Sequence, residues 1–118
     1  MKIKLLTIKG NNIKEIVDIF KKEIEKRNLD SAWYSYNSND IYILGEEIFF
    51  NRIESVVFSF IIFKICNENE CEINLISSGG QGMPIGLGFF DAENSNIKKT
   101  IGHFQEICKE KYWTLIEK

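Results

Sequence analysis

The sequence predicts an α+β domain: a strand, a helix, an antiparallel sheet of four or more strands, then a helix, with both helices on one sheet face. Three observations carry that expectation. Apolar residues recur at helical spacing in two segments, one near each end of the chain. Between them the run Val56 to Cys66 is apolar on both alternating sides. Clusters of Asn, Asp, Ser and Gly separate the β-prone stretches from one another.

Ile3, Leu5 and Ile8 mark a first strand over residues 2–9, and Gly10-Asn11-Asn12 breaks it and supplies a helix cap. Ile13, Ile16, Val17, Phe20 and Ile24 then form one apolar stripe, opposed by Asp18, Lys21, Lys22 and Glu25, with Asn28 as the stop. Ser31 to Tyr36 and Ile41 to Leu44 read as a hairpin around the turn cluster Asn37-Ser38-Asn39-Asp40. Gly45-Glu46-Glu47 is expected to interrupt that strand, leaving Ile48-Phe49-Phe50 as a separate short one.

Val56, Phe58, Phe60 and Ile62 share one side of the longest strand candidate, and Val57, Ile61, Phe63 and Ile65 share the other. A strand with one wet side alternates apolar and polar residues, so this one is expected to be central and covered on both sides. Cys71 to Ser78 pairs back across Asn67-Glu68-Asn69-Glu70, which sets Cys66 and Cys71 facing each other across the strands. Phe89 and Phe90 close a last short strand; Asp91 to Asn96 is polar and cap-rich; Ile97, Ile101, Phe104, Ile107 and Cys108 mark the second helix, which Tyr112, Trp113, Leu115 and Ile116 extend or follow.

A chain of 118 residues is one domain, 1–118. With 44% apolar and 27% charged residues it has an ordinary globular composition and fifteen aromatic rings with which to build a core. The net charge is −2, and lysines are spread and mixed with glutamates, as in Lys21-Lys22-Glu23 and Lys109-Glu110-Lys111. That mixture argues against nucleic acid as a partner. The amino-terminal stretch is broken by charge too early for a signal-peptide core, and no apolar run approaches the roughly 20 residues that span a bilayer. No membrane and a cytoplasmic location are therefore expected. Three cysteines, an odd number, read as reduced thiols. With His103 the only histidine and no paired Cys-x-x-Cys, no metal and no cofactor are expected.

Three groups of residues are candidate sites. The loop Ser77-Ser78-Gly79-Gly80-Gln81-Gly82, continuing to Gly88, is glycine-rich and could present backbone amides to an anion. It lacks the Lys-Ser/Thr ending of a phosphate loop, and a tight or bulged strand connection is the simpler explanation of its glycines. Trp33 and Tyr34, with Tyr36 and Tyr42, form an aromatic cluster suited to a binding platform or an interface. His103 falls on the polar side of its helix with Lys99, Glu106 and Glu110, which fits surface rather than catalysis. Glu46-Glu47 and Glu68-Asn69-Glu70 read as solvated turn charge, and Cys108 as a small core residue.

The segment Phe49 to Gly82 holds an apolar strand, a short acidic turn, a second strand and then Ile76-Ser77-Ser78-Gly79-Gly80-Gln81-Gly82. In this it resembles a family of uncharacterised small bacterial proteins, a domain of unknown function whose members place a Ser-Gly-Gly loop before a short aromatic strand and a terminal helix. The resemblance covers the last two thirds of the chain, and Met83-Pro84-Ile85-Gly86-Leu87-Gly88 departs from it as an insertion. It implies a small α+β fold and carries no catalytic residue over.

No nucleophile–base pair, metal cluster or phosphate loop assembles from neighbouring motifs. The leading functional expectation is a non-enzymatic binding or protein-interaction domain that self-associates, as an immunity-type or regulatory protein would. Its partner is itself, as a homodimer, or another protein, and Gly79 to Gly88 with Phe89 and Phe90 form part of the surface used. The alternative is a small-ligand sensor or enzyme with a pocket at residues 77–88, where Ser77, Ser78 and Gln81 donate hydrogen bonds.

Overall fold

The computed structural model describes the backbone of residues 1–27, 31–50, 55–79, 83–85, 88–90 and 92–118, and the side-chain surroundings of 1–26, 35–47, 57–79 and 94–118. The elements run β1 (Lys2–Lys9), α1 (Ile16–Arg27), β2 (Ser31–Ser38), β3 (Ile41–Phe50), β4 (Ser55–Asn67), β5 (Glu70–Gly79), β6 (Met83–Ile85), β7 (Gly88–Phe90), α2 (Ala92–Lys111) and β8 (Thr114–Glu117). A single 3-10 turn, Ile13–Glu15, precedes α1. Six strands form one antiparallel sheet in the order β2-β3-β4-β5-β1-β8, and β6 and β7 pair with each other. The fold is therefore α+β with an open antiparallel sheet.

The first strand of the chain is an inner strand of the sheet, hydrogen-bonded to β5 on one side and β8 on the other. Leu6 and Ile8 face the helices from it, level with Ile73 and Cys71 of β5. The same side of β4 brings Ile61, Phe63 and Ile65, and β3 brings Leu44. Over this side lie the stripe Ile13, Ile16, Val17, Phe20 and Ile24 and the stripe Ile97, Ile101, Phe104, Ile107 and Cys108, all in one buried cluster. Both helices thus cover one face. At its centre the Phe20 and Phe104 rings stack at 4.6 Å, and Phe63 meets each edge-on at 5.9 and 5.8 Å, so α1, α2 and β4 converge on three aromatic rings.

Several local expectations need correction. Gly45-Glu46-Glu47 does not interrupt a strand: β3 runs unbroken from Ile41 to Phe50. Gly45 sits between Tyr34 of β2 and Phe60 of β4, so pairing on both edges outweighs its weak strand propensity. Cys66 and Cys71 do not face each other. The register shifts between Ile65 and Asn67, so Ile65 is opposite Cys71 and Cys66 is the extra residue of a β-bulge. Cys71 is buried under the helices and Cys66 is exposed, both as free thiols. The polar stretch before Ile97 is already helical, because α2 starts at Ala92.

The residues after α2 form a strand. Tyr112 takes a left-handed conformation (φ 59°), and the Trp113 amide donates back to the Cys108 carbonyl at 2.9 Å, ending the helix and reversing the chain. Trp113 is buried, and its indole N–H donates to the Asn11 carbonyl at 2.7 Å, which locks β8 beside β1. At the same end of the sheet the β4–β5 turn is held by the amides of Gly10 and Ile13, which donate to the Asn69 and Glu68 carbonyls at 2.9 and 3.0 Å.

Candidate functional site

The sheet face turned away from the helices is the most distinctive surface of the described molecule. Register assigns its rows. Across one row run Ile3, Ile76, Phe60 and Gly45; across the next run Leu5, Asn74, Ile62, Ile43 and Tyr36. A third holds Thr7, Glu72, Lys64, Ile41 and Ser38, with Ile116 of β8 beside Thr7. Ser78, Phe58 and Glu47 form a fourth. Alternation along each strand forces this outcome: whatever does not point to the helices points here.

Exposure shows how unusual the face is. Among the described residues the large apolar side chains left exposed are Met1, Ile3, Leu5, Tyr36, Ile41, Phe58, Phe60, Tyr112 and Ile116. All but Met1 and Tyr112 lie in these rows. Phe58 is 43% exposed and Phe60 41%, on the central strand of the core. Singly scattered apolar residues on a surface need no explanation, but a contiguous sheet face of them does.

Polar groups fringe the face near the β4–β5 turn. Lys64 is registered opposite Glu72, and Lys9 pairs with Glu70 at 3.6 Å. The bulge brings the Cys66 thiol within 4.8 Å of the Glu70 and Glu72 carboxylates. The Thr7 hydroxyl is buried without a hydrogen-bond partner among the described residues; Leu5, Thr7, Glu72, Asn74 and Lys118 help line an adjacent hollow of about 180 Å³.

The candidate residues scatter across this architecture. Ser77 is fully buried on the helix side of β5, where its hydroxyl accepts from the Asn96 amide at 3.3 Å. Ser78, its neighbour, is half-buried on the open face. Gly79 ends β5 with φ 94°, a conformation that suits glycine. Gly80, Gln81 and Gly82 lie outside the described residues. Phe89 and Phe90 belong to β7, opposite Pro84 and Met83. Trp33 and Tyr34 belong to β2, opposite Glu46 and Gly45. His103 is half-buried. The sequence reading did not single out Ile3, Leu5 and Ile116, because only the β1–β8 and β1–β5 pairings bring them beside β4's row.

The thiols divide sharply. Burial first, and then the neighbouring Cys66, push the Cys71 thiol up to about 12; burial pushes Cys108 up to about 11. Neither is a thiolate at neutral pH, so neither is a nucleophile there. A chromogenic thiol reagent at pH 8 is expected to titrate Cys66 alone in the native protein and all three thiols in denaturant. Rapid reaction of two or more thiols without denaturant would contradict the burial.

No family model matches this chain, and no curated protein matches it. No helix among the described residues is long and apolar enough to cross a membrane.

Proposed function

We propose that the protein is a non-enzymatic interaction module that self-associates, with a second copy covering the open face of its sheet. The observation that supports this reading most directly is the gathering of Ile3, Leu5, Tyr36, Ile41, Phe58, Phe60 and Ile116 on one face, each at least 40% exposed. Fully burying a Phe or Ile side chain is worth about 1.5–3 kcal/mol, so leaving this set in water forgoes several kcal/mol. Six strands spaced about 4.8 Å apart and four rows make a footprint of about 600 Å², on the order of the roughly 800 Å² of accessible surface each partner buries in a stable interface.

The chemistry-bearing groups within reach support a binding role over catalysis. The Ser77 hydroxyl is committed to Asn96, and two of the three thiols are held protonated in the core. The face itself carries aliphatic and aromatic groups with charge only at its margins, the anatomy of an interface with an apolar centre and a polar rim.

Sedimentation equilibrium tests the reading. The wild type is expected to be dimeric at micromolar concentration. Phe60→Lys is expected to be monomeric and to keep the native circular dichroism spectrum, because the Phe60 side chain lies on the side of β4 away from the core cluster. A wild type that stays monomeric up to about millimolar concentration, where even weak complexes form, would overturn it.

A further inference from the structure

Granting that a second copy covers the open face, we infer how it sits: the two-fold axis runs along the strands between β4 and β5, so that each β4 lies over the partner's β5. Face-to-face packing of two copies requires a two-fold axis within the interface plane, and the interface is then self-complementary. Two limiting directions exist, along the strands or across them, and the residues on this face discriminate between them.

With the axis along the strands, each row of one copy meets the same row of the other, reversed in strand order. Phe58 then lies over the partner's Ser78, Phe60 over the partner's Ile76, and Ile62 over the partner's Asn74. The large side chains of β4 meet the smaller ones of β5, which lets two layers interdigitate without voids. Farther out, Ile43 of β3 lies over the partner's Leu5. At the rim, Lys64 lies over the partner's Glu72, and the two Lys64–Glu72 pairs close into a ring of alternating charge around the axis.

With the axis across the strands, every strand lies over its own copy. Lys64 then sits over the partner's Phe58 and Glu72 over the partner's Ser78. Both charges lose solvent without gaining an opposite charge, a desolvation that is not repaid. Tilting the along-strand axis by about 15° brings the two sheets to the roughly 30° crossing that twisted sheets adopt, and keeps the central rows in place.

Charge reversal tests the arrangement through intermolecular rescue. Lys64→Glu presents four carboxylates around the axis of its homodimer, and Glu72→Lys presents four ammonium groups. Each variant alone is expected to dimerise about tenfold or more weakly than wild type at low salt, since facing like charges cost several kcal/mol. An equimolar mixture is expected to recover a dimer containing one copy of each, identified by native mass spectrometry, because each carboxylate of one copy then faces an ammonium group of the other. If each variant dimerises as well as the wild type, or the mixture shows no preference for the mixed dimer, the along-strand arrangement is wrong. A dimeric wild type and a monomeric Phe60→Lys in that same experiment would leave the covered face standing, so the two failures are told apart.

Discussion

Replacing Phe104 by alanine is expected to lower the stability of the protein by about 3–5 kcal/mol, a large share of the total for a domain of this size. Phe104 is completely buried, stacked on Phe20 at 4.6 Å and met edge-on by Phe63 at 5.8 Å. Its removal takes away the transfer free energy of the ring and leaves a cavity where two helices and the central strand converge. That cavity cannot collapse easily, because Phe20 is pinned by α1 and Phe63 by a strand hydrogen-bonded on both edges. Urea unfolding measures the loss. Tyr112→Ala is the matched control, since it deletes an aromatic ring that is 94% exposed and should shift stability by no more than about 0.5 kcal/mol. A Phe104→Ala cost under about 1 kcal/mol would mean that the three rings do not organise the core.

Adding one methyl group at Gly10 is expected to do comparable damage. A Cβ there would overlap Trp113 Cδ1 and lie 2.8 Å from Cγ, inside any tolerable contact. The indole cannot retreat without breaking its 2.7 Å hydrogen bond to the Asn11 carbonyl and loosening β8 from β1. Overpacking of this kind costs about 1–3 kcal/mol, and the lost hydrogen bond adds about 1 kcal/mol. Gly10→Ala should therefore lose about 2–4 kcal/mol. Gly102→Ala makes the same chemical change in the middle of α2, where a Cβ meets nothing within 4 Å, and should gain about 0.5–1 kcal/mol from helix propensity. Opposite signs for one substitution at two glycines is the result to look for in thermal unfolding; equal effects would contradict the Trp113 placement.

Much of the secondary structure is legible in the residues because each element carries its own period. The stripe from Ile13 to Ile24 has a helix's spacing, and it is buried along α1. The first strand matches its expected span of 2–9, since Gly10-Asn11-Asn12 cannot continue it. The second helix was readable from Ile97 to Cys108 but not from its first turn, because polar residues such as Asn94 and Ser95 carry no stripe. Strand β8 was not readable at all. Four residues are too few for a period to show, and the element exists because Trp113 docks against Gly10 and Asn11. The bulge at Cys66 was equally hidden, since a one-residue register shift leaves no mark on alternation.

By itself the chain's pattern of side chains determined the α+β class, the two helices and the fact that the strand from Ser55 to Asn67 is apolar on both sides. Those are local properties, written in spacing. Only the tertiary structure decided which of the two sides the helices took and which strands extend the other. With β1 placed between β5 and β8, Ile3, Leu5 and Ile116 join Phe58 and Phe60 on one continuous surface. Strand order links residues more than a hundred positions apart, and hydrogen bonds between backbones, which every sequence possesses alike, are what link them.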